Sequence, residues 1–344
     1  MDSGISLAII IPTWRRAAQL LTLLNSLDRQ IRLPDEIIIC CRYNDGESRD
    51  AIEAWAKSSP LGSRHKVAKV YEGGHLPPLV AALELCESNI FCLVDDDAIP
   101  RNDWLLRLEE DFDDPRIGGI GGKVINHVEK HKGFDFDRPE IETPGKLSWF
   151  GRSGKFGPLV EANGDLYEAD CFVGCNMAFR TQALVDAVDM TLNGGSAISY
   201  ETDIALSARR QGFRVFYDPQ AVVDHYPLPR QIDIQRGWNA KECFWYAHNL
   251  TYICFKHLRW YGKLLFLLYF FIGGTWGCPG PMTYLLSLIR ARHTSWRQQL
   301  LPALRGRLAG LTTYLLKNAH QVNDIMNSDI VNERHPSTAR RKVE

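Results

Sequence analysis

Three consecutive carboxylates, Asp95, Asp96 and Asp97, stand directly behind the apolar run 89–94 and just ahead of Ala98, Ile99 and Pro100. A strand ending in side-by-side acids concentrates like charge, and each carboxylate prefers water, so the turn calls for a cation or a row of hydrogen-bond donors. Hard oxygen ligands suit Mg²⁺ or Mn²⁺, and a magnesium site completes its shell with waters and substrate phosphates. A metal-bridged phosphate ligand is one reading. The other is a solvated turn whose aspartates cap the helix that begins near Pro100.

The elements around the triplet weigh on that choice. Residues 6–11 read as a buried strand closed by Pro12, Thr13 and Trp14, and apolar residues then recur at helical spacing over 16–27. A second strand over 37–41 runs into the turn 42–48. A helix over 49–58, a strand over 66–71 and a helix over 77–86 lead to the strand that ends at the acids. Continuous apolar strands alternating with helices predict a mainly parallel sheet covered on both faces, an α/β fold. Such sheets bind ligands beyond the carboxyl ends of their strands. The ends of strands one, two and four carry Pro12 and Thr13, Arg42 to Asp45, and the triplet, so polar groups converge on one edge and the solvated turn loses ground. No Walker-type loop occurs, and the glycines of 117–122 lack the helix that follows a dinucleotide fingerprint.

Downstream, residues 123–170 are polar with scattered aromatics and little periodicity, an excursion over a cleft. Regularity returns with the strand-like segment ending Asn176-Met177-Ala178-Phe179-Arg180 and a helix over 181–188. A glycine-rich loop then leads to Tyr200, Glu201, Thr202 and Asp203 and a helix capped by Gly212. Strand-like pieces follow at 213–217 and 222–225, the second ending in His225.

Bulk properties bound the function. The 344 residues hold one large domain or two, and Lys plus Arg (40) nearly balance Asp plus Glu (41), so no basic field suggests nucleic acid. The nine cysteines include no Cys-x-x-Cys pair and mostly lie in apolar stretches, which fits free buried thiols in a reducing compartment. No basic region precedes the first apolar run, so a cytoplasmic location is expected. The uncharged stretch 264–289 is long enough on paper to span a bilayer, but Gly273, Gly274, Gly277, Pro279, Gly280 and Pro281 interrupt it and basic residues flank both sides. Two short helices forming a hairpin at the cytoplasmic face fit better, with Trp260, Tyr261, Trp276 and Tyr284 as interfacial anchors; the alternative is a buried helical pair. A chain ending near Arg259 is then expected to be more soluble.

In this order the motifs resemble those of the family-2 glycosyltransferases of the bacterial cell-surface glycan type, inverting enzymes with the GT-A fold. The resemblance rests on the opening Ile9-Ile10-Ile11-Pro12-Thr13, the strand Glu36 to Ile39, the acid triplet as the Asp-x-Asp signature, the segment 174–180, Glu201-Thr202-Asp203 with Arg209 to Gly212, and Tyr217 to His225. It implies a Rossmann-like mixed sheet with helices on both faces and a C-terminal helical region. The expected division is a catalytic domain over 1–228, with a nucleotide-binding half to about 124 and an acceptor half over 125–228, then a helical region over 229–330 and a basic, disordered tail over 331–344.

The resemblance also implies roles. Pro12, Thr13, Arg42, Asp45, Asp95 and Asp96 would hold the nucleotide; Asp97, Asp95 and His225 would hold Mg²⁺ or Mn²⁺. The family's aspartate after the second strand is replaced here by Cys41 and Arg42, with Asp45 a few residues later, and Arg42 is open to diphosphate contact or to solvent. Glu201 takes the place of the general base, with Asp203 as second candidate or as a helix-capping charge. Asn176 and Arg180 would face the donor sugar and acceptor, whereas Trp104 packs its helix onto the sheet. The expected activity is metal-dependent, inverting transfer from a nucleotide-sugar donor to a glycan or lipid-linked acceptor at a membrane surface. A glycoside hydrolase using Glu201 and a triplet aspartate, or a non-catalytic glycan-binding protein, are the alternatives.

Overall fold

Isoleucine-rich strands and amphipathic helices alternate through the first hundred residues of the computed structural model, which describes residues 4–127, 145–152, 165–195, 197–227, 239–275, 278–289 and 296–333. The order is β1 (Leu7–Thr13), α1 (Ala17–Leu27), β2 (Glu36–Arg42), α2 (Gly46–Ser58), β3 (His65–Val70), α3 (Leu76–Leu83) and β4 (Ile90–Leu93). Because side chains alternate along a strand, the unbroken apolar runs feed two cores at once: Leu7, Ile9, Ile11, Ile37 and Ile39 enter one, and Ala8, Ile10 and Ile38 the other.

The sheet is completed by β5 (Ala98–Pro100), β6 (Ile117–Asn126), β7 (Tyr167–Glu168), β8 (Met177–Arg180) and β9 (Arg214–His225), with α4 (Trp104–Asp111), α5 (Thr181–Leu184) and α6 (Tyr200–Arg210) between them. Its nine strands run in the order β3-β2-β1-β4-β8-β6-β9-β5, with β7 paired to β9. The strands β3, β2, β1 and β4 are parallel, β8 is antiparallel to β4 and β6, and β6 is parallel to β9. This is the mixed, mainly parallel sheet expected from the sequence.

Local differences have physical reasons. The glycines of 117–122 belong to a long strand, because a side chain at Gly119 would meet the Phe179 ring at 2.5 Å and one at Gly121 the Phe172 ring at 2.2 Å. Here glycine makes room for aromatic packing against the sheet. The helix expected over 181–188 stops at Leu184, where Val185 turns extended and Asp186 adopts a positive φ of 60°. The two strand pieces at 213–217 and 222–225 are one strand, β9, whose register on β6 jumps between Gly122 and Lys123. Most of the excursion 123–170 lies outside the described residues.

After the sheet come α7 (Ala240–His257), α8 (Trp260–Phe266) continuing through a π-helical turn over Leu267–Gly273, the short hairpin strands β10 (Gly274–Thr275) and β11 (Cys278–Pro279), α9 (Pro281–Ile289) and α10 (Trp296–Glu333). Antiparallel pairing of β10 with β11 turns the chain back, so the described residues of 264–289 form the expected helical hairpin. No helix among the described residues is long and apolar enough to cross a membrane. Backbones of α7 and α10 approach closely, since a side chain at Gly306 would meet the Phe244 carbonyl oxygen at 2.2 Å and one at Gly310 the His248 carbonyl oxygen at 2.3 Å. Arg307 is buried and donates to the carbonyls of Cys278 and Pro279, pinning α10 to the hairpin turn. A chain ending near Arg259 would lose α10 and uncover Cys243, Ala247 and Leu250. That truncation therefore does not isolate the hairpin's contribution to solubility, whereas substitutions on its outer face do.

Candidate active site

Parallel pairing sets the carboxyl ends of β1, β2 and β4 along one edge. At that edge the acid triplet meets the first strand. Thr13 Oγ1 donates to Asp96 Oδ2 at 2.8 Å, and Arg16 Nη1 donates to Asp96 Oδ1 and to Asp97 Oδ2, each at 2.8 Å. Both oxygens of the buried Asp96 are thus engaged, so it braces the turn rather than offering itself to ribose, as the resemblance implied. Arg16 is the counter-charge that three adjacent acids demand.

His225 arrives from the far side of the sheet. Pairing of β5 with β9 sets it opposite Ala98, and pairing of β6 with β9 sets it opposite Asn126. Its Nδ1 lies 2.7 Å from Asn126 Oδ1, and its Nε2 lies 3.3 Å from Asp97 Oδ1. With Nδ1 against the Asn126 oxygen, the ring turns Nε2 toward the carboxylates. A ring nitrogen that faces a carboxylate oxygen can also seat a cation, and a divalent metal fits this oxygen and nitrogen set. Asp95, Cys175 and His225 each present a ligand atom within 4.8 Å of the others.

Electrostatics divide the three acids. Burial, reinforced by Asp97 and Asp96, pushes the Asp95 carboxyl up to about 7. Burial also raises Asp96, with Arg16 offsetting part of the effect. Burial opposes the charge on Asp97 too, yet His225 and Arg16 outweigh it and hold the carboxyl below its ordinary value. Asp97 is therefore the acid best prepared to meet a cation as an anion.

Glu201 stands in the first turn of α6, with Oε1 placed where a side chain at Gly174 would meet it at 2.8 Å. The helix is entered through Ser199 at a positive φ of 70°, a conformation costly for a residue with a side chain and one that fixes how α6 starts. Burial pushes the Glu201 carboxyl up to about 8, the Asp95 charge adds to the rise, and backbone N–H groups of Glu201 and Gly174 pull against it. A carboxylate with this poise is a stronger base than a solvated one.

Four residues expected at the site are occupied elsewhere. Asp203, fully buried, accepts from Lys256 Nζ on Oδ2 and pairs with His257 Nε2 on Oδ1, each at 2.7 Å, which fastens α6 to α7. Asn176 accepts from Trp104 Nε1 and donates to the carbonyls of Lys123 and Ala221, all at 2.9 Å, so it knots the sheet. This bond also fixes Trp104, which packs its helix on the sheet. Arg180 lies opposite Ile90, at the start of β4, because β8 runs antiparallel; at about 3.3 Å per residue this is roughly 16 Å from the acids. It donates to the carbonyls of Ile117, Phe112 and Asp114. Asp45 caps α2, accepting from the backbone N–H of Ser48 and Arg15, so its carboxylate is used within the loop.

The edge where the resemblance places the nucleotide is aromatic and cationic. Pro12 pairs with Cys40 at the strand end, and the Arg42 guanidinium lies 5.3 Å from the centre of the Trp14 ring, with Tyr43 and Tyr71 stacked at 5.5 Å beside it. Arg42 is thus held over an aromatic face rather than loose in solvent. Arg16, Asn126 and Cys175 were missed from the sequence; only Arg16 had a signal, the charge balance of the triplet.

The model of the family described as "Glycosyltransferase like family 2" matches residues 5–242. Among solved structures, the S. aureus TarS fragment 1–349 in complex with UDP-GlcNAc is similar at 13% identity, with 87% of this chain and 80% of that chain covered and a TM-score of 0.57. The mannosyltransferase PcManGT from Pyrobaculum calidifontis, in complex with GDP-Man and Mn²⁺, is similar at 15% identity, with 90% and 87% covered and a TM-score of 0.53. No curated protein matches the chain. At these identities the structural likeness carries the fold, and the family match extends through the acid triplet, Glu201 and His225: the chain belongs to the family-2-like glycosyltransferases and is a glycosyltransferase enzyme.

Proposed function

We propose that the protein is a metal-dependent, inverting glycosyltransferase that moves a sugar from a nucleotide-sugar donor to a hydroxyl of a glycan or lipid-linked acceptor. The observation that carries this reading is the pairing of a base and a cation seat. Glu201, with its raised carboxyl, feels the charge of Asp95, whose ligand atom lies beside those of Cys175 and His225. Asp97, Asp95 and His225 would hold Mg²⁺ or Mn²⁺, which supplies positive charge to the leaving diphosphate. Glu201 takes the proton of the attacking hydroxyl on the face opposite the leaving group, which gives inversion. Arg16 offsets the charge of the triplet, and Arg42 with Trp14 offers a cationic, aromatic surface to the nucleotide. The neighbours' complexes with UDP-GlcNAc and with GDP-Man and Mn²⁺ support this donor class. In this reading residues 1–228 form the catalytic unit.

Calorimetric titration with UDP and GDP in Mn²⁺ is expected to show binding that disappears in chelator. Nucleotide binding of equal strength in chelator would remove the metal from the reading, and no binding at all would remove the donor.

The acceptor side follows from the helical hairpin. Leu264, Leu268, Ile272, Leu285, Leu286 and Ile289 are exposed, with Ile289 at 81%, next to exposed Trp260 at 73%. Such an apolar face beside Arg259 and Lys263 suits peripheral insertion into the headgroup region of the cytoplasmic leaflet, where lipid-linked acceptors lie. Replacing Leu268 and Leu285 together by Glu should lower partition onto anionic lipid vesicles about tenfold or more. Flotation of wild type and variant checks this, and equal partition would refute the anchoring role.

A further inference from the structure

Cys175 has no part in the transfer chemistry assigned above, yet its thiol is aimed at the cation seat. The residue is buried at 3% exposure immediately ahead of β8. Its backbone position is set by its neighbour: Asn176 is knotted by Trp104, Lys123 and Ala221, and its carbonyl accepts from the Gly122 N–H at 3.0 Å. The Cys175 Sγ, a carboxylate oxygen of Asp95 and a ring nitrogen of His225 all lie within 4.8 Å of one another. Ligand atoms around a tetrahedral zinc stand about 3.5 Å apart, given metal distances of about 2.0–2.3 Å, so small rotations about χ1 close the set.

One further observation points to a ligand: His225 is oriented through Nδ1 against Asn126, with Nε2 facing inward. A carbonyl oxygen against the remote ring nitrogen is how proteins fix a metal-binding imidazole.

We propose that Cys175 is an additional ligand at this seat, so that Asp95, Cys175 and His225, beside Asp97, bind a zinc-type divalent cation more tightly than Mg²⁺. The proposal rests on the cation seat of the preceding reading and specifies its donor set. On binding, the thiol gives its proton to solvent and the sulfur–metal bond forms; two anionic ligands then balance the charge of a divalent ion, with no change of oxidation state. Three protein ligands with an open fourth position is the pattern of zinc sites that still admit a substrate oxygen. An all-oxygen set would favour Mg²⁺, whereas one thiolate shifts the preference toward Zn²⁺ and Co²⁺.

Cobalt makes the thiolate visible without reference to activity. Full-length protein titrated anaerobically with Co²⁺ should bind one equivalent with a near-ultraviolet sulfur-to-cobalt charge-transfer band. Zn²⁺ should abolish the band stoichiometrically, whereas millimolar Mg²⁺ should leave it. Cys175→Ser should lose the band and weaken Zn²⁺ binding by about 10²-fold, with circular dichroism unchanged. Cys243→Ser should keep the band: Cys243 and Cys278 sulfurs lie 3.7 Å apart, but the Arg307 guanidinium already sits against Cys278. X-ray absorption of the zinc-loaded wild type, which needs no variant, should show sulfur at about 2.3 Å. One bound metal ion with no sulfur scatterer, or a cobalt band that survives Cys175→Ser, overturns the role of Cys175 and leaves glycosyl transfer standing. Failure of Co²⁺, Zn²⁺ and Mn²⁺ to bind, with or without UDP or GDP, overturns the metal-dependent reading as well.

Discussion

Glu201→Gln is expected to lower kcat about a thousandfold while the melting behaviour below pH 5 stays that of the wild type. A positioned general base contributes roughly 10²–10⁴-fold, and Gln keeps the shape of Glu while losing the ability to take a proton. The pH dependence gives the sharper test. Burial pushes the carboxyl up to about 8, so the basic form is the minority at neutral pH. Wild-type kcat should rise about tenfold per pH unit up to about 8 and level above it, whereas the Gln variant should be flat. Stability should run the other way. The unfolded side chain ionises near 4.5 and the folded one near 8, so the folded state holds the extra proton across that window and loses stability as pH rises through it. The Gln variant lacks that loss and should be relatively more stable at pH 8 and above. An alkaline rise in rate that persists in the Gln variant would assign the proton transfer elsewhere. Asp203→Ala provides the contrast, because it takes the 2.7 Å partners from Lys256, which keeps Asp189 at 3.4 Å, and from buried His257; its signature is a stability loss of about 1–3 kcal/mol.

Asp97→Asn is the second large effect expected. One Asp97 oxygen faces His225 Nε2 and the other accepts from Arg16, so the side chain is held as an anion at the cation seat. Removing its charge should lower kcat/KM by about 10²–10³-fold in saturating Mn²⁺ and raise the Mn²⁺ concentration needed for half-maximal rate. Chelator should reduce the wild type to the level of the variant and change the variant little. Full wild-type activity of Asp97→Asn in chelator would remove this residue and the metal together. Asp218 is no silent control, because it is buried and its carboxylate accepts from the Gln220 N–H at the break in β9. Asp114→Ala is a better one, since that side chain pairs with exposed Arg116 at the opposite edge of the sheet.

Strand composition and order were readable because a parallel sheet buried on both faces needs runs such as Ile9 to Ile11 and Ile37 to Ile39, which few other structures tolerate. The convergence of Thr13 and the acids on one edge followed from where such runs stop, whereas His225 was placed with them by the family resemblance alone. Strand direction was not readable. Residues 177–180 carry the same apolar pattern whether they run with β4 or against it, and only the antiparallel pairing sends Arg180 to the far edge. Side-chain commitments were equally hidden: Asn176, Asp45 and Asp203 are polar residues in suggestive places, and each is consumed by partners distant in sequence or by its own turn. Arg16 begins a helix by sequence and acts at the acid turn by geometry. Asn126 lay in a stretch without evident periodicity, because its strand is built on glycines that yield space to Phe172 and Phe179.

The ionic seam between α6 and the C-terminal helices limits how this enzyme can be recombined. Asp203 depends on Lys256, and Asp189 is held by Lys256, Lys317 and the Tyr252 hydroxyl, all from α7 and α10. The helix that presents Glu201 is therefore not self-sufficient. A chimera joining residues 5–242 to another enzyme's tail would inherit two buried carboxylates with their cations missing, and its loss of turnover would be misread as a failure of acceptor delivery. Exchange of acceptor specificity by swapping tails requires that the incoming helix bring a lysine to the positions of Lys256 and Lys317, so the unit of inheritance here is the catalytic sheet together with its two long helices.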